Sequence, residues 1–220
     1  MPRPASVPRT APCNGTSVQR VRELGDLSVL FESHVNVAVY ERALSPELVA
    51  DARLSATMLQ GMRLMLSVSA SRDGLHQIEQ RLVGLRSLAT DIASLVELLA
   101  DLTGARLFGV RLVYLEAPMC PRLHVDHVTL RMVTTYVGEG TEYVASEDLN
   151  RSRLGHALNG QADETSGLLR PGASVQRAKP GEVVLLKGES WPGNDGQGAV
   201  HRSPPASAWV PRIVLTLDPL

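Results

Sequence analysis

The spacing of apolar residues changes at Gly104, and this change constrains the fold more than any other feature of the sequence. Upstream of Gly104, apolar residues recur at three- and four-residue steps, which predicts an amphipathic helix that ends at this glycine. The residues in this pattern are Leu85, Leu88, Ile92, Leu95, Val96, Leu99 and Leu102. An earlier helix is predicted to open at Ser45-Pro46-Glu47, which supplies an N-cap residue, a first-turn proline and a first-turn acid. Residues 19–104 are therefore predicted to be mainly helical.

Short apolar segments bounded by turn residues follow Gly104 and predict β-strands. The predicted strands are Leu107–Tyr114, Val128–Val137, Thr141–Val144, Val183–Leu186 and Ile213–Leu217. Residues 150–175 are polar and contain several glycines, which predicts a long loop across the middle of this part. Helices followed by short strands indicate an α+β fold whose strands form a sandwich or a barrel.

Composition and charge exclude several classes of protein. The formal net charge is −1 and aromatic residues make up only 4% of the 220 residues, so neither nucleic acid nor a membrane surface is an expected partner. Residues 1–18 are rich in Pro, Ser, Thr and Arg and lack the apolar core of a secretory signal. We therefore expect a disordered tail ahead of a single domain, residues 19–220. The apolar stretch Leu82–Leu102 is interrupted by charged residues and is not a predicted membrane span. The two cysteines, Cys13 and Cys120, do not suggest a disulfide framework, which favours a cytoplasmic location.

The tripeptide His124-Val125-Asp126 carries the strongest chemical signal in the chain. On a strand, residues two apart point to the same face, so the imidazole and the carboxylate would converge on one point. His201 precedes the last predicted strand and is the best candidate for a second imidazole. Two histidines and one carboxylate form the facial triad of non-haem Fe(II) oxygenases, which leaves coordination positions open.

Arg212 lies eleven residues after His201, and the order of these residues resembles that of the 2-oxoglutarate-dependent dioxygenases. The resemblance covers residues 112–218 and implies a double-stranded β-helix, or jelly roll, on which the N-terminal helices pack. It also implies that His124, Asp126 and His201 hold Fe(II), and that Arg212 binds the distal carboxylate of 2-oxoglutarate in a two-pronged fashion. Tyr136 is either a further hydrogen-bond donor to this co-substrate or a tyrosine of the core.

Two longer sequence blocks resemble the bacterial DUF1826 family. The first is CPRLHVDHVTLRMVTTYVGEGTEYV at Cys120–Val144, and the second is GEVVLLKGESWPGNDGQGAVHRSP at Gly181–Pro204. Members of this family share similar C-P-x-x-H-V-D-H, G-x-G-T-E and L-K-G-E-x-W-P-G-N blocks, the last followed by H-R-S-P. The resemblance implies no particular biochemical activity, although an association with bacterial metal-homeostasis genes favours zinc.

Two alternatives to an iron oxygenase remain open at the level of sequence. Cys120, His124 and His127 have the spacing C-x3-H-x2-H, and His201 would complete a tetrahedral Zn2+ site of a non-catalytic binding protein. Asp126 would then orient an imidazole instead of binding the metal. On a regular strand, His127 would face away from His124. The second alternative is a cupin-type metalloenzyme that does not use 2-oxoglutarate.

The segment K-G-E-S-W-P-G-N after the predicted strand Val183–Leu186 is a candidate substrate loop. Its polar and aromatic side chains are Lys187, Glu189, Trp191 and Asn194, and Arg202 next to His201 is a further candidate. An equally good interpretation is a turn with its tryptophan packed over the core. The expected substrate is a small molecule or a peptide of unknown identity, and the sequence does not indicate an oligomeric state.

Overall fold

A computed structural model describes residues 16–59, 63–155, 161–204 and 211–220. Nearly all of the predicted N-terminal tail, residues 1–15, lies outside this set, as does part of the predicted long loop. In the described part, the first strand already begins at Val18. None of the described helices is long and apolar enough to span a membrane.

Three α-helices are found among the described residues of the N-terminal part. They are α1 (Pro46–Met58), α2 (Arg72–Arg81) and α3 (Arg86–Thr103), and a 3-10 helix spans Leu24–Phe31. The Ser45 side chain accepts a hydrogen bond from the backbone of Leu48 at 3.2 Å, as its predicted N-cap role requires. Gly104 ends α3 in the left-handed conformation at φ 68°, and its N–H donates to the carbonyl of Ala100.

In the part of the chain that the structure describes, ten strands form two sheets. The strands are β1 (Val18–Val21), β2 (Val37–Tyr40), β3 (Arg63–Ser69), β4 (Leu107–Leu115), β5 (Leu130–Val137), β6 (Glu142–Val144), β7 (Val175–Arg177), β8 (Val183–Lys187), β9 (Val200–Arg202) and β10 (Arg212–Pro219). The large sheet has seven strands in the order β1-β2-β8-β5-β10-β4-β3, and the small sheet has three in the order β7-β6-β9. Among these described strands, the β1–β2 pair is parallel and all the other pairs are antiparallel.

The apolar side chains form three layers of core. On the outer face of the large sheet, residues such as Phe108, Leu185 and Leu215 pack against the helices. On its inner face, residues such as Val113, Val184 and Val214 pack against the small sheet, represented by Tyr143 and Ala199. A third cluster, which contains Leu123, Val144 and Val200, covers the far side of the small sheet. The metal-ligand candidates belong to the inner layer, between the two sheets.

The mixed α+β class predicted from the sequence is confirmed. Within the described residues, the structure contains five strands that were not predicted from the sequence. β1, β2 and β3 come from the part that was predicted to be mainly helical, and β7 and β9 are strands of only three residues each. β1 and β2 have only four residues each, too few for an alternating pattern to emerge. The helix α2 was also missed, because only Gly74 and Ile78 among its ten residues are buried.

Candidate metal centre

The two candidate histidines are neighbours because their backbones pair. The N–H of His124 donates to the carbonyl of His201 at 3.0 Å, and the N–H of His201 donates to the carbonyl of His124 at 3.0 Å. This antiparallel bridge extends the small sheet beyond β9 and places the ring centroids 4.5 Å apart. The segment 124–126 makes this one bridge and is not a continuous strand, which differs from the sequence expectation.

Asp126 brings its carboxylate to the same point. Its Oδ2 lies 3.1 Å from Nε2 of His201, and its Oδ1 lies 3.7 Å from Nε2 of His124. One ligand atom from each of the three side chains lies within 4.8 Å of the others, and within the described ranges no second group of this kind is found. The arrangement offers two imidazole nitrogens and one carboxylate oxygen to a single ion.

Backbone carbonyls fix the tautomer of both imidazoles. Nδ1 of His124 lies 2.8 Å from the carbonyl oxygen of Arg122, and Nδ1 of His201 lies 3.0 Å from that of Ala199. A carbonyl oxygen only accepts hydrogen bonds, so each Nδ1 carries a proton and each Nε2 is the atom directed at Asp126. This is the orientation that metal-binding histidines adopt when an outer partner holds the other ring nitrogen.

The surroundings of the cluster favour the ionised form of Asp126 and the neutral form of His124. Burial alone would raise the pKa of Asp126, but the hydrogen bond to His201 and the charges of Arg131 and His124 outweigh it and lower the pKa to about 2. Burial lowers the pKa of His124, and the charge of His201 lowers it further. The carboxylate is thus ionised and the His124 imidazole is neutral at physiological pH, as ligands must be.

Arg131 on β5 holds Asp126 in place and was not identified from the sequence. Its Nη1 donates to Oδ2 of Asp126 at 2.7 Å, while its Nε and Nη2 form a fork on Asp218 at 2.7 and 2.8 Å. A guanidinium bound at three points is rigid, so it fixes the carboxylate orientation and leaves Oδ1 free for a metal. The only signal in the sequence was a basic residue five positions after Asp126.

Arg212 enters the same cavity from the large sheet. The cavity has a volume of about 60 Å3, and its walls include His124, His201 and Arg212. Nε of Arg212 donates to the carbonyl of Glu139 at 2.6 Å, and Nη2 lies 3.4 Å from the hydroxyl of Thr135. Nη1 is buried and has no hydrogen-bond partner among the residues that the structure describes. Burial lowers the pKa of Arg212 to about 10, so the side chain still carries its charge at neutral pH.

The alternation of β10 explains why Arg212 faces the cavity. Val214 belongs to the inner core and Ile213 to the outer core, so Arg212, two residues before Val214, points inward. Gly138 lies directly against this side chain at φ 83°, and a Cβ there would be 2.8 Å from Cγ of Arg212. A larger residue at position 138 would therefore displace the guanidinium.

The structure corrects the suggestion that Tyr136 contacts the co-substrate. Tyr136 lies on the outer face of β5, where its hydroxyl donates to Asp91 of α3 at 2.7 Å. The residue next to Arg212 is Thr135, its neighbour in sequence on the opposite face. Period-two alternation separates the two residues, and the sequence alone did not show which of them faces inward.

The tetrahedral zinc set proposed from the sequence is not assembled. Cys120 is an exposed free thiol that lines the cavity, but its sulfur is not among the converging ligand atoms. His127 is exposed as well and lies outside the converging group. The backbone of residues 124–127 is extended at His124 and does not form the helical turn that would bring a C-x3-H-x2-H set together.

The candidate substrate loop is also corrected, because its side chains are engaged within the protein. Nζ of Lys187 donates to the carbonyl of Glu32, Glu189 accepts from the N–H groups of Gly196 and Gly198, and Nδ2 of Asn194 donates to the carbonyl of Gly188. The ring of Trp191 lies 5.8 Å from that of Phe31 and under the Lys187 ammonium. Among the described residues, the loop thus presents no free polar side chain of this set to the metal centre.

The loop instead supports the segment that carries Asp126. The N–H of Glu189 donates to the carbonyl of Asp126 at 2.9 Å, and the N–H of Ser190 donates to that of Val128 at 3.2 Å. Gly188 allows this approach, because a Cβ there would lie 1.8 Å from the carbonyl oxygen of Val128.

Arg202 is likewise bound by its neighbours. It forms ion pairs with Glu142 at 2.7 Å, with Asp163 at 2.9 Å and with Glu164 at 2.9 Å. Its guanidinium therefore has little capacity left for a substrate, although the side chain lines the cavity.

Comparison with known proteins places the chain in a family. Residues 22–218 match the family described as "Protein of unknown function (DUF1826)". The chain belongs to the DUF1826 family. No curated protein matches it.

Several solved structures resemble this DUF1826 protein at low sequence identity. A rice dioxygenase for auxin oxidation is 14% identical, with a TM-score of 0.49 over 90% of this chain and 78% of that chain. A putative oxygenase from Shewanella oneidensis is 12% identical, with a TM-score of 0.49 over 92% and 89%. A prolyl-4-hydroxylase from Pseudomonas putida is 12% identical, with a TM-score of 0.43 over 89% and 97%. The function proposed below rests on the geometry of the chain itself.

Proposed function

We propose that this DUF1826 protein is an Fe(II)- and 2-oxoglutarate-dependent oxygenase with a double-stranded β-helix core. The observation that carries the proposal is the buried Nη1 of Arg212, which lacks a partner among the described residues, on an arginine that lines the same cavity as His124 and His201. A buried guanidinium with an unused donor is costly unless a ligand pairs with it. A ligand that binds the metal at one end and carries a carboxylate at the other would pair with this donor and occupy the whole cavity.

The donor set fits Fe(II). Nε2 of His124, Oδ1 of Asp126 and Nε2 of His201 would occupy one face of the ion, with Arg131 and the backbone carbonyls of Arg122 and Ala199 holding the ligands in orientation. Fe(II) bound with 2-oxoglutarate supplies oxidation by dioxygen at an unactivated C–H bond. The residues of the chain position the reactants and exclude water from them.

The groups around Arg212 fit the distal carboxylate of 2-oxoglutarate. Nη1 and Nη2 would donate to its two oxygens, and the Thr135 hydroxyl beside Nη2 would add a third hydrogen bond. Met119 and Cys120, which lie outside the strands, form another part of the wall of this cavity.

Visible absorption under argon tests this proposal. Fe(II) and 2-oxoglutarate added to the metal-free wild-type protein should produce the weak charge-transfer band of a chelated keto acid. The Arg212→Met variant should bind Fe(II) normally and require much more 2-oxoglutarate for the same band. Absence of the band in the wild type, together with tight zinc binding, would rule out the oxygenase.

Arg212 also separates this proposal from a cupin-type metalloenzyme that does not use 2-oxoglutarate. Such an enzyme needs the metal ligands but has no use for a buried cation on the opposite wall of the cavity. If Fe(II) binds and the Arg212→Met substitution affects neither 2-oxoglutarate binding nor turnover, the cupin-type function replaces the oxygenase.

A further inference from the structure

The two sheets differ in width, and part of the large sheet is therefore uncovered on its inner face. The small sheet has three strands against seven, and its core packs on the middle strands of the large sheet. On β3, the pairing of Arg63 with Val113 identifies Arg63, Met65 and Ser67 as inward-facing residues. Met65 is nonetheless 60% exposed, as expected for a sheet surface without a covering layer.

A hollow of about 290 Å3 lies over this uncovered surface. Its walls include Met65, Ser67, Gly109, Arg111, Asp218 and Leu220. Leu220 is 66% exposed and approaches Gly109, where a Cβ would lie 3.6 Å from Cδ2 of the leucine. The hollow thus combines apolar side chains with two charged ones.

Arg111 is the cation of this hollow. It is half-buried on β4, and its side chain has neither a hydrogen bond nor an ion pair with any residue that the structure describes. The acid that shares the hollow, Asp218, is already bound by the two-pronged contact of Arg131 at 2.7 and 2.8 Å. The positive charge of Arg111 is therefore the one that remains available to a ligand.

The hollow adjoins the metal cavity. Arg111 pairs across the sheet with Thr216 of β10, and Thr216 lines the wall of the metal cavity. Neighbouring strands are separated by about 4.8 Å, so the residue that lines the hollow and the residue that lines the metal cavity are direct cross-strand neighbours. Arg131 links them as well, because it binds Asp126 on one side and Asp218 on the other.

We propose that the hollow around Arg111 binds the primary substrate, and that this substrate carries one anionic group next to an apolar portion. Arg111 binds the carboxylate or phosphate, Met65 and Leu220 contact the apolar part, and the remainder of the molecule extends across Thr216 towards the metal. This inference rests on the oxygenase function proposed above, because it assigns the substrate class of the same site.

The test is a titration of the full-length, Zn2+-loaded protein with four six-carbon probes, followed by backbone amide NMR. The probes are hexanoate, hexyl phosphate, hexanol and hexylammonium. We expect hexanoate or hexyl phosphate to shift the amide signals of Ser67, Gly109 and Leu220, and the alcohol and the amine to shift them far less. The carboxylate and phosphate arms distinguish the two sources of the anionic group.

Three variants make the result specific. Arg111→Met should raise the dissociation constant of the anionic probe at least about tenfold, because a charge-assisted contact is lost. Arg153→Met removes the charge of an exposed arginine in the 3-10 turn Arg151–Arg153, which does not line the hollow, and should change nothing. Arg212→Met should leave probe binding in the hollow intact. Equal binding of hexanol, no binding of either anion, or a loss in the Arg212 or Arg153 variant instead of the Arg111 variant would overturn the proposal.

The same proteins distinguish this proposal from the proposed function. The charge-transfer band of Fe(II) with 2-oxoglutarate should be the same in wild type and in Arg111→Met. If the charge-transfer band forms but no anionic probe binds, the substrate site at Arg111 is rejected and the oxygenase function stands. If an anionic probe binds but the band does not form, the oxygenase function is rejected and the hollow is an anion site of another kind.

Discussion

The candidate metal centre and the loop 187–194 are both rich in polar side chains, but they differ in how far these side chains find hydrogen-bond partners within the protein. At the metal centre, the ligand atoms of His124, Asp126 and His201 converge, and the buried Nη1 of Arg212 is left without a protein partner among the described residues. In the loop, Lys187 and Glu189 are each matched to backbone groups. The candidate metal centre thus retains polar groups that a ligand can use, whereas the polar side chains of the loop are used to hold the surrounding backbone.

The largest effect should come from removing the carboxylate of the metal centre. Asp126→Ala deletes one of three ligands, and we expect metal affinity to fall by more than about 100-fold, beyond the loss typical of outer residues. A competition titration with a metal-binding dye measures this. Asp195→Ala, an exposed acid of the loop region, is the control and should leave the affinity unchanged. Retained affinity in the Asp126 variant would remove the carboxylate from the ligand set.

The second-largest effect should be on 2-oxoglutarate binding, without a loss of metal binding. Arg212→Met keeps the length of the side chain and removes its donors. We expect 2-oxoglutarate binding to weaken by about 1.5–3 kcal/mol, which is roughly 10- to 150-fold. Calorimetry on the Fe(II)-loaded protein under argon measures this, and equal loss of Fe(II) affinity would show that the arginine acts on the whole centre.

A smaller effect tests the scaffold role of the loop. Glu189→Ala removes the acceptor for the N–H groups of Gly196 and Gly198, and we expect the free energy of unfolding to fall by about 1–3 kcal/mol. Urea denaturation measures the change. A variant of unchanged stability that no longer binds 2-oxoglutarate or substrate would instead make the loop part of the ligand site.

The smallest effect concerns the thiol and imidazole left outside the cluster. Cys120→Ser and His127→Ala should each change metal affinity by less than about 0.5 kcal/mol, as substitutions of exposed residues without key contacts usually do. A zinc titration of both variants checks this. A tenfold or greater loss in both would restore the tetrahedral zinc set.

The candidate ligand residues could be identified from the sequence because their signals are local or ordered along the chain, and the structure brings the three side chains together. His124 and Asp126 share a period-two spacing, and the positions of His201 and Arg212 follow a known order. Thr135 and Arg131 were not predictable in the same way. Their roles depend on which face of β5 points inward. The pairing of β10 with β5 also changes register between Ile213 and Val214, so simple alternation along the two strands does not predict which residues face each other.

The overall fold was predictable in class but not in detail. The caps of α1 and α3 are short-range features of sequence, and the structure places both as expected. The strands β2 and β3 are stabilised by hydrogen bonds to strands that lie far along the chain, since β2 pairs with β8 and β3 with β4, and β1 pairs in turn with β2. Short segments of this kind have weak intrinsic preferences, and long-range pairing decides their conformation.

The most direct test of the central claim is a crystal structure of the protein with Mn2+ and 2-oxoglutarate, with the metal located by anomalous scattering. We expect one ion bound by Nε2 of His124, Oδ1 of Asp126 and Nε2 of His201, and a keto acid whose distal carboxylate contacts Nη1 of Arg212. A metal bound by Cys120 or His127, or a keto acid that leaves Nη1 of Arg212 without a contact, would contradict it.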